Sequence, residues 1–320
     1  MGQPHRLNFC PWGLAMSTTH SLTVSEEHNQ LRLDVFLTHI LKDVPSRTFL
    51  KKVIEGGYVS VNELPVKAHH KVKTGDEIFV EIPDDFFEPQ NLTPENIPLD
   101  VFYEDEFLLV INKPSGMMVH PATGCYTGTL VNALLYRQKN LSDVNTSLRP
   151  GIVHRLDKET SGLMIVAKDN RTHAKLAEQF QDHEVKKKYI ALVEGEVNFD
   201  EGTINAPIGR DLYQREKKKV SFDESAREAT TRYQAIKRWK GITFIALFPK
   251  TGRTHQLRVH MAYLKHPILG DEKYGHKQTF PRLALHAQAI SFIHPGFKRF
   301  VEFSSIPPQE FLQKAGIETV

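Results

Sequence analysis

The stretch "GIVHRLDKETSGLMIVAK", residues 151–168, sets charged groups between two apolar runs. His154, Arg155, Asp157, Lys158 and Glu159 lie between Gly151-Ile152-Val153 and Leu163–Ala167. A carboxylate beside a buried strand is unfavourable unless it is paired or hydrogen-bonded. An arginine close to Asp157 would keep it ionised, lowering its pKa by about one to three units. In extended geometry, residues 155 and 157 point to the same side of the chain. Two readings follow from the residues alone. Asp157 is either one half of a structural ion pair or a catalytic carboxylate facing a cleft, and structural pairs are the commoner case.

Other chemistries fit less well. His154-Arg155-Leu156-Asp157 differs from the kinase catalytic loop, because a leucine separates Arg from Asp, and there is no Gly-rich phosphate loop or D-F-G. Neither a P-loop nor a G-x-S-x-G elbow occurs. Sixteen histidines invite a metal site. His255 and His260, however, are five apart on an expected helix, so they diverge by about 140° and cannot share an ion. No metal is expected.

The elements that must hold these residues fall into two groups. In residues 26–82, "LRLDVFLTHILKD" has Leu33, Phe36, Leu37, Ile40 and Leu41 at helical spacing. Ser46 can cap a second helix, "RTFLKKVIEGG", ended by Gly56 or Gly57. "YVSVNELPV" and "EIFVEI" read as short strands. Arg47 and Lys51 share a face of the second helix, with Lys52 beside them. Helix, basic helix and hairpin in this order resemble the S4 RNA-binding module, which implies that these three residues contact RNA.

Residues 83–98 carry four prolines and read as a linker. Residues 83–106 hold eight acids and no Lys or Arg; without those eight of the 38 acids, the 41 basic residues exceed the rest by 11. Two basic bodies around an acidic connector suit a polyanionic partner, although charge runs are as often solvated faces. Residues 99–320 form the second group. "FLLVINKPSGMMVHP" reads as strand, turn, strand, and "GIVHRLDKETSGLMIVAK" repeats that shape. "NRTHAKLAEQFQDHEV" is the one clear helix of the middle, with Asn170 as its candidate cap. Three strands, "KKYIALVEGEV", "TTRYQAIKRW" and "GITFIALFP", precede a turn and helix, "TGRTHQLRVHMAYL". Many strands without βαβ alternation predict an α+β fold on a mainly antiparallel sheet flanked by helices.

"HRLDKETSG" resembles the signature of the RluA/RluD-type pseudouridine synthases, closest to the RluD-like branch. "INKPSGMMVHP", "KKYIALVEG", "TGRTHQLRVHMAYLKHPILGDEKYG" and "LALHA" match further segments of that family in order. The resemblance spans nearly all the chain after about residue 25 and implies the pseudouridine synthase fold. It also implies the reaction: the N1–C1′ bond of a uridine breaks, the base turns, and a C5–C1′ bond forms, with no cofactor. By resemblance, Asp157 is the essential aspartate, as a nucleophile or as a base for the ribose 2′ proton. Tyr189 stacks on the base and is a candidate acceptor of the C5 proton. Arg258 pairs with Asp157. Leu285 walls the base. Arg155 opens the RNA, since a planar guanidinium can stack where a base has left. His154 fits the motif at the substrate site, and Lys188 is expected to face RNA. The implied partner is RNA, with large-subunit ribosomal RNA favoured over transfer RNA. A non-catalytic RNA-binding factor is the alternative class, and Asp157, Tyr189 and Arg258 together argue against it.

Composition sets outer limits. Forty per cent hydrophobic and 25% charged residues are ordinary for a globular chain. No segment approaches the roughly 18 apolar residues of a membrane span. Cys10 and Cys125 make no disulfide framework, so a reducing, cytoplasmic setting is expected. Residues 1–25 are expected to be a disordered leader, with Met16 a second candidate start. The resemblance implies a monomer.

Overall fold

The computed structural model describes residues 17–41, 44, 47–83, 93–121, 126–137, 150–211, 214 and 217–318. The chain divides into two compact units, residues 1–91 and 92–320. The first contains β1 (Ser17–Thr23), α1 (Leu33–Ile40), α2 (Arg47–Glu55), β2 (Val59–Val61), β3 (Leu64–Pro65) and β4 (Glu77–Pro83). The strands form one sheet in the order β1-β4-β2-β3. β4 alternates buried Ile78, Val80 and Ile82 with outward residues, the period of a sheet with one covered face. Those three pack with Leu33, Phe36 and Leu37 from α1 and with Leu50, Val53 and Ile54 from α2. The expected apolar stripe of α1 holds except at Ile40, which is exposed.

The leader expected over residues 1–25 is corrected for residues 17–25. Ser17–Thr23 pairs with the whole of β4, from Ser17 opposite Pro83 to Thr23 opposite Glu77. Alternating threonine, leucine and serine suit an edge strand, and its pairing with the expected strand β4 is what sequence reading omitted. Residues 1–16, Cys10, Cys125, the Ser46 cap and most of the 83–98 linker lie outside the described residues.

The second unit contains β5 (Val101–Glu104), β6 (Leu108–Lys113), α3 (Leu130–Arg137), β7 (Ser161–Ala167), α4 (Asn170–Gln181), β8 (Lys186–Glu194), β9 (Glu201–Asn205), β10 (Ile208–Arg210), β11 (Lys218–Val220), β12 (Thr230–Trp239), β13 (Ile242–Pro249), α5 (Gln256–Tyr263), β14 (Leu285–Ile293), β15 (Phe300–Ser304) and α6 (Gln309–Lys314). Nine strands form one sheet, β5-β6-β7-β14-β8-β13-β12-β9, with β15 also on β14. All its pairings are antiparallel except β7 with β14. The α+β reading with a mainly antiparallel mixed sheet therefore holds.

β7 is buried along its whole length because both sheet faces are covered. Met164 and Val166 pack into one cluster with α3, while Leu163, Ile165 and Ala167 pack into another with Leu176 of α4. Three local expectations are corrected. Residues after Lys113 turn instead of forming a second strand, and Gly151–Val153 contributes only the Ile152–Val166 bridge. The cap of α4 is Asp169, which accepts the Thr172 N–H at 2.8 Å, one residue before the expected Asn170. α3 was hidden in an apolar run too short to show its period.

The β7–β14 junction sets Gly162 opposite Ala287. Gly162 has φ +119, and a Cβ there would collide with the Ala287 backbone. Gly162→Ala is therefore expected to destabilise the protein by more than about 2 kcal/mol. Gly241→Ala, at φ +75 with open space around it, should cost only about 1 kcal/mol. Denaturant unfolding of the two variants checks the difference.

Candidate active site

The turn between Ile152 and β7 places its residues by alternation. Leu156 is buried in the core with Leu109, Val119 and Met164, while Arg155 and Asp157 face one cleft of about 540 Å³. Three anchors hold that turn. The Thr160 N–H donates to the Asp157 carbonyl at 3.1 Å. The Ile165 N–H donates to His154 Nε2 at 2.9 Å, and the imidazole stacks on Phe180 with centroids 4.7 Å apart. Lys113, at the end of β6, donates to the carbonyls of Pro114, Met117 and Lys158 at 2.7, 2.9 and 3.1 Å. Three carbonyls match the three protons of an ammonium group, while burial pulls the Lys113 pKa down to about 8, so the charged form still prevails at neutral pH.

His154, expected at the substrate, lines the cleft but spends Nε2 on the backbone of β7. A ring nitrogen that accepts a hydrogen bond belongs to a neutral imidazole. Burial, with Lys187 nearby, pulls the His154 pKa down to about 3.

Arg258 comes from α5, whose residues Gln256–Met261 are all buried. Its Nε and Nη2 donate to the two carboxylate oxygens of Asp271, both at 2.7 Å. Its Nη1 lies 3.6 Å from Asp157 Oδ2. The expected Arg258–Asp157 pairing is thus an ion pair longer than a hydrogen bond, and Asp271 takes the bidentate bond. Asp271 also accepts the N–H groups of Lys273 and Tyr274, at 2.9 and 3.1 Å. Gln256 fixes the start of α5 by accepting from Thr251 Oγ1 and donating to the Thr230 carbonyl and Thr231 Oγ1. His260 contacts Thr231 Oγ1 and the Ala206 carbonyl, far from any metal role. Among the described residues, no group of three or more His, Cys, Asp or Glu side chains could hold a metal.

Tyr189 sits on β8 between Ala287 of β14 and Leu247 of β13. Burial, and then the Asp157 carboxylate, push its phenol well above the ordinary tyrosine range. The phenolate form is therefore disfavoured, and at neutral pH Tyr189 is an uncharged aromatic wall. Leu285 opens β14 and is buried beside the same cleft. Lys187, two residues before Tyr189 on β8, lines the cleft beside it, as strand alternation requires.

His154, Arg155, Asp157, Tyr189, Arg258 and Leu285 thus line one cleft. Arg47, Lys51 and Lys52 belong to the first unit. There, the buried Asp34 accepts from Arg32 Nε at 3.0 Å and from Arg47 Nη2 at 2.8 Å. Lys51 pairs with Glu55 at 3.5 Å. Sequence reading assigned no role to Lys113, Asp271 or Tyr274, and considered His255 only as a metal ligand. Their one signal was membership of the matched segments "INKPSG" and "TGRTHQLRVHMAYLKHPILGDEKYG".

Buried neutral histidines make stability pH-dependent. Burial pulls His286, between the hydroxyls of Ser161 and Ser305 at 2.9 Å each, down to about 4. The unfolded chain, with histidines near pH 6.5, takes up protons first as pH falls, and the folded state does so only below about 4 for His286 and about 3 for His154. Stability should therefore be complete above about pH 6.5 and fall toward pH 4, by about 1.4 kcal/mol per pH unit for each histidine. Unfolding free energies measured across that range should show a shallower slope in His286→Gln.

Comparison with known proteins agrees with this architecture. Residues 107–263 match the family model for RNA pseudouridylate synthase, and residues 31–78 match the S4 domain model. The RNA pseudouridine synthase YlyB of Bacillus subtilis is 42% identical over 294 residues, covering 91% of this chain and 95% of that protein. The ribosomal large subunit pseudouridine synthase D of Zymomonas mobilis is 41% identical over 305 residues, with the same coverage, 91% and 95%. The solved structure of human RNA pseudouridylate synthase domain containing 1 superimposes with a TM-score of 0.56 at 26% identity, over 69% of this chain and 86% of that one.

Proposed function

Because this chain belongs to the RNA pseudouridylate synthase family, we propose that Asp157 carries out its glycosidic chemistry. The protein is a pseudouridine synthase: it converts uridine in RNA to pseudouridine. The observation that carries the Asp157 assignment is its setting. Its carboxylate is partly exposed to the cleft and lies 3.6 Å from Arg258, whose other nitrogens are taken by Asp271. It therefore has a positive neighbour and still has oxygen lone pairs to offer a substrate.

A uridine in a folded RNA must leave its stack, which costs a few kcal/mol. Arg155 is exposed at the cleft mouth and occupies the vacated space. The base enters between Tyr189 and Leu285. Asp157 then either bonds to the substrate covalently or removes the ribose 2′ proton to give a glycal, and the N1–C1′ bond breaks with its electron pair going to N1. The base turns, and C5 bonds to C1′ as the Asp157 bond is released or the 2′ proton returns. The C5 proton is lost as N1 takes one up, so that no net proton or electron is consumed. Arg258 favours the ionised Asp157 carboxylate before that step and again when it is regenerated. His154 acts from behind, by fixing the turn. The S4-like residues 26–82 grip RNA through Arg47, Lys51 and Lys52, and residues 99–320 carry the catalysis. The substrate is large-subunit ribosomal RNA, as the Zymomonas mobilis relative's name suggests. The protein works as a monomer in the cytoplasm, and no described helix is long and apolar enough to cross a membrane.

Asp157→Asn should lower the rate by about a thousandfold or more while RNA binding persists. Arg155→Ala should reduce the rate more on structured than on unstructured RNA. Carbodiimide-stop primer extension on large-subunit rRNA and on tRNA, incubated separately, reads activity, substrate and position together. Wild-type activity in Asp157→Asn would refute the assignment, and modification of tRNA alone would refute the substrate. For the first unit, Lys51→Ala with Lys52→Ala should reduce the slope of log affinity against log salt by about 1 to 2. Arg47 is less clean to test, since it also satisfies the buried Asp34.

A further inference from the structure

His255 immediately precedes α5 and has φ 58, ψ 18, a left-handed backbone uncommon outside glycine. Such a conformation persists where the surroundings over-determine it. Here they do so through a chain of polar contacts. His255 Nδ1 lies 2.7 Å from Tyr274 Oη, and the two rings meet edge to face at 5.5 Å. Tyr274 Oη accepts the Lys218 N–H of β11 at 2.9 Å. The Tyr274 N–H donates to Asp271, the carboxylate that holds Arg258. On its other side, His255 Nε2 faces Asp157 Oδ2 at 4.0 Å.

This arrangement fixes a proton. Tyr274 Oη already accepts from Lys218, so its hydroxyl hydrogen needs an acceptor, and His255 Nδ1 stands in hydrogen-bond range. A neutral imidazole that accepts at Nδ1 carries its hydrogen on Nε2. That hydrogen then sits on the nitrogen 4.0 Å from the Asp157 carboxylate. The charged and titratable groups around the ring are Asp157, Asp271, Arg258, Lys273 and Tyr274. Burial lowers the His255 pKa, Asp157 opposes that, and Arg258 and Lys273 reinforce it, which favours the neutral ring.

We propose that His255 is a positioning residue for Asp157, its tautomer set by Tyr274 so that the Nε2–H orients the carboxylate. The inference rests on the reading that Asp157 does the chemistry. Separations of this kind commonly tighten when substrate fills the site. Loss of the Nε2–H removes a donor from the charged carboxylate, so activity should disappear at a higher pH as the solution is acidified.

The test uses the full chain and an rRNA transcript modified by the wild type. Single-turnover rates at saturating RNA are measured from about pH 5 to about pH 9, with RNA affinity and melting temperature measured separately. His255→Asn tolerates the left-handed backbone, but its amide ends near the old Nδ1 position. His255→Gln extends an amide toward the old Nε2 position, and Tyr274→Phe removes the hydroxyl that sets the tautomer. His255→Asn should lower the neutral-pH rate about tenfold, move the acid limb up by about one pH unit and change RNA affinity by less than about twofold. His255→Gln should restore the acid limb, and Tyr274→Phe should shift it in the same direction as His255→Asn. If His255→Asn does not fold, the Tyr274→Phe profile decides alone. An acid limb that stays at the wild-type pH overturns the proposal, as does a rate loss that follows RNA affinity. Asp157→Asn separates the two readings. If it is active, both fall; if it is inactive while the His255 and Tyr274 variants keep the wild-type profile, only the role of His255 falls.

Discussion

A buried guanidinium shared by two carboxylates organises the synthase unit. Arg258 cannot be left unpaired in the core, since an isolated buried charge is far more costly than a buried pair. Asp271 satisfies it with two hydrogen bonds at 2.7 Å. The remaining nitrogen faces Asp157 at 3.6 Å, close enough for electrostatic support and too long to consume an oxygen. The Asp157 carboxylate therefore gains a fixed positive neighbour without being locked into a structural bond. The same requirement explains why the start of α5 is packed with satisfied polar groups: Gln256 and His260 must find partners on β12 and at Ala206 before the helix can be buried.

The opposite wall of the cleft is held by neutral or carbonyl-capped groups. Lys113 ties the residues after β6 to Lys158, beside Asp157. His154 ties the front of the turn to Ile165, and His286 ties Ser161 to Ser305. None places an uncompensated charge in the core. They brace a turn that leaves regular structure just where β7 meets β14 in parallel, a junction close enough to require Gly162.

The first unit uses the converse arrangement. One buried aspartate, Asp34, is shared by two half-exposed arginines, Arg32 and Arg47. There the fixed charge is inside and the donors face outward, which pre-aims guanidinium groups on a surface suited to phosphate. In the synthase unit the fixed guanidinium is inside and one carboxylate faces the cleft.

Much of this was legible in the chain itself. Period-two and period-3.6 patterns marked most strands and helices, because each buries one face or both. The spacing of Arg155 and Asp157 already placed the two on one side of an extended segment. The ordered motifs identified Asp157, Tyr189, Arg258 and Leu285 as members of one site. Missing were β1, whose partner lies some 60 residues along the chain, the strands β5, β9, β10, β11 and β14, and α3, whose apolar run is too short to show a period. Also missing were the partnerships of Asp271, Tyr274 and Lys113. Local sequence determines which face a side chain takes and what chemistry it can offer. Only the tertiary structure decides which oxygen meets which nitrogen, because a hydrogen bond depends on tenths of an ångström between segments that the sequence leaves far apart. That is why the arginine near Asp157 could be read from the chain, while the aspartate that takes most of that arginine's bonding, and the histidine facing the same carboxylate, emerged only when the helix, the loop and the turn came together.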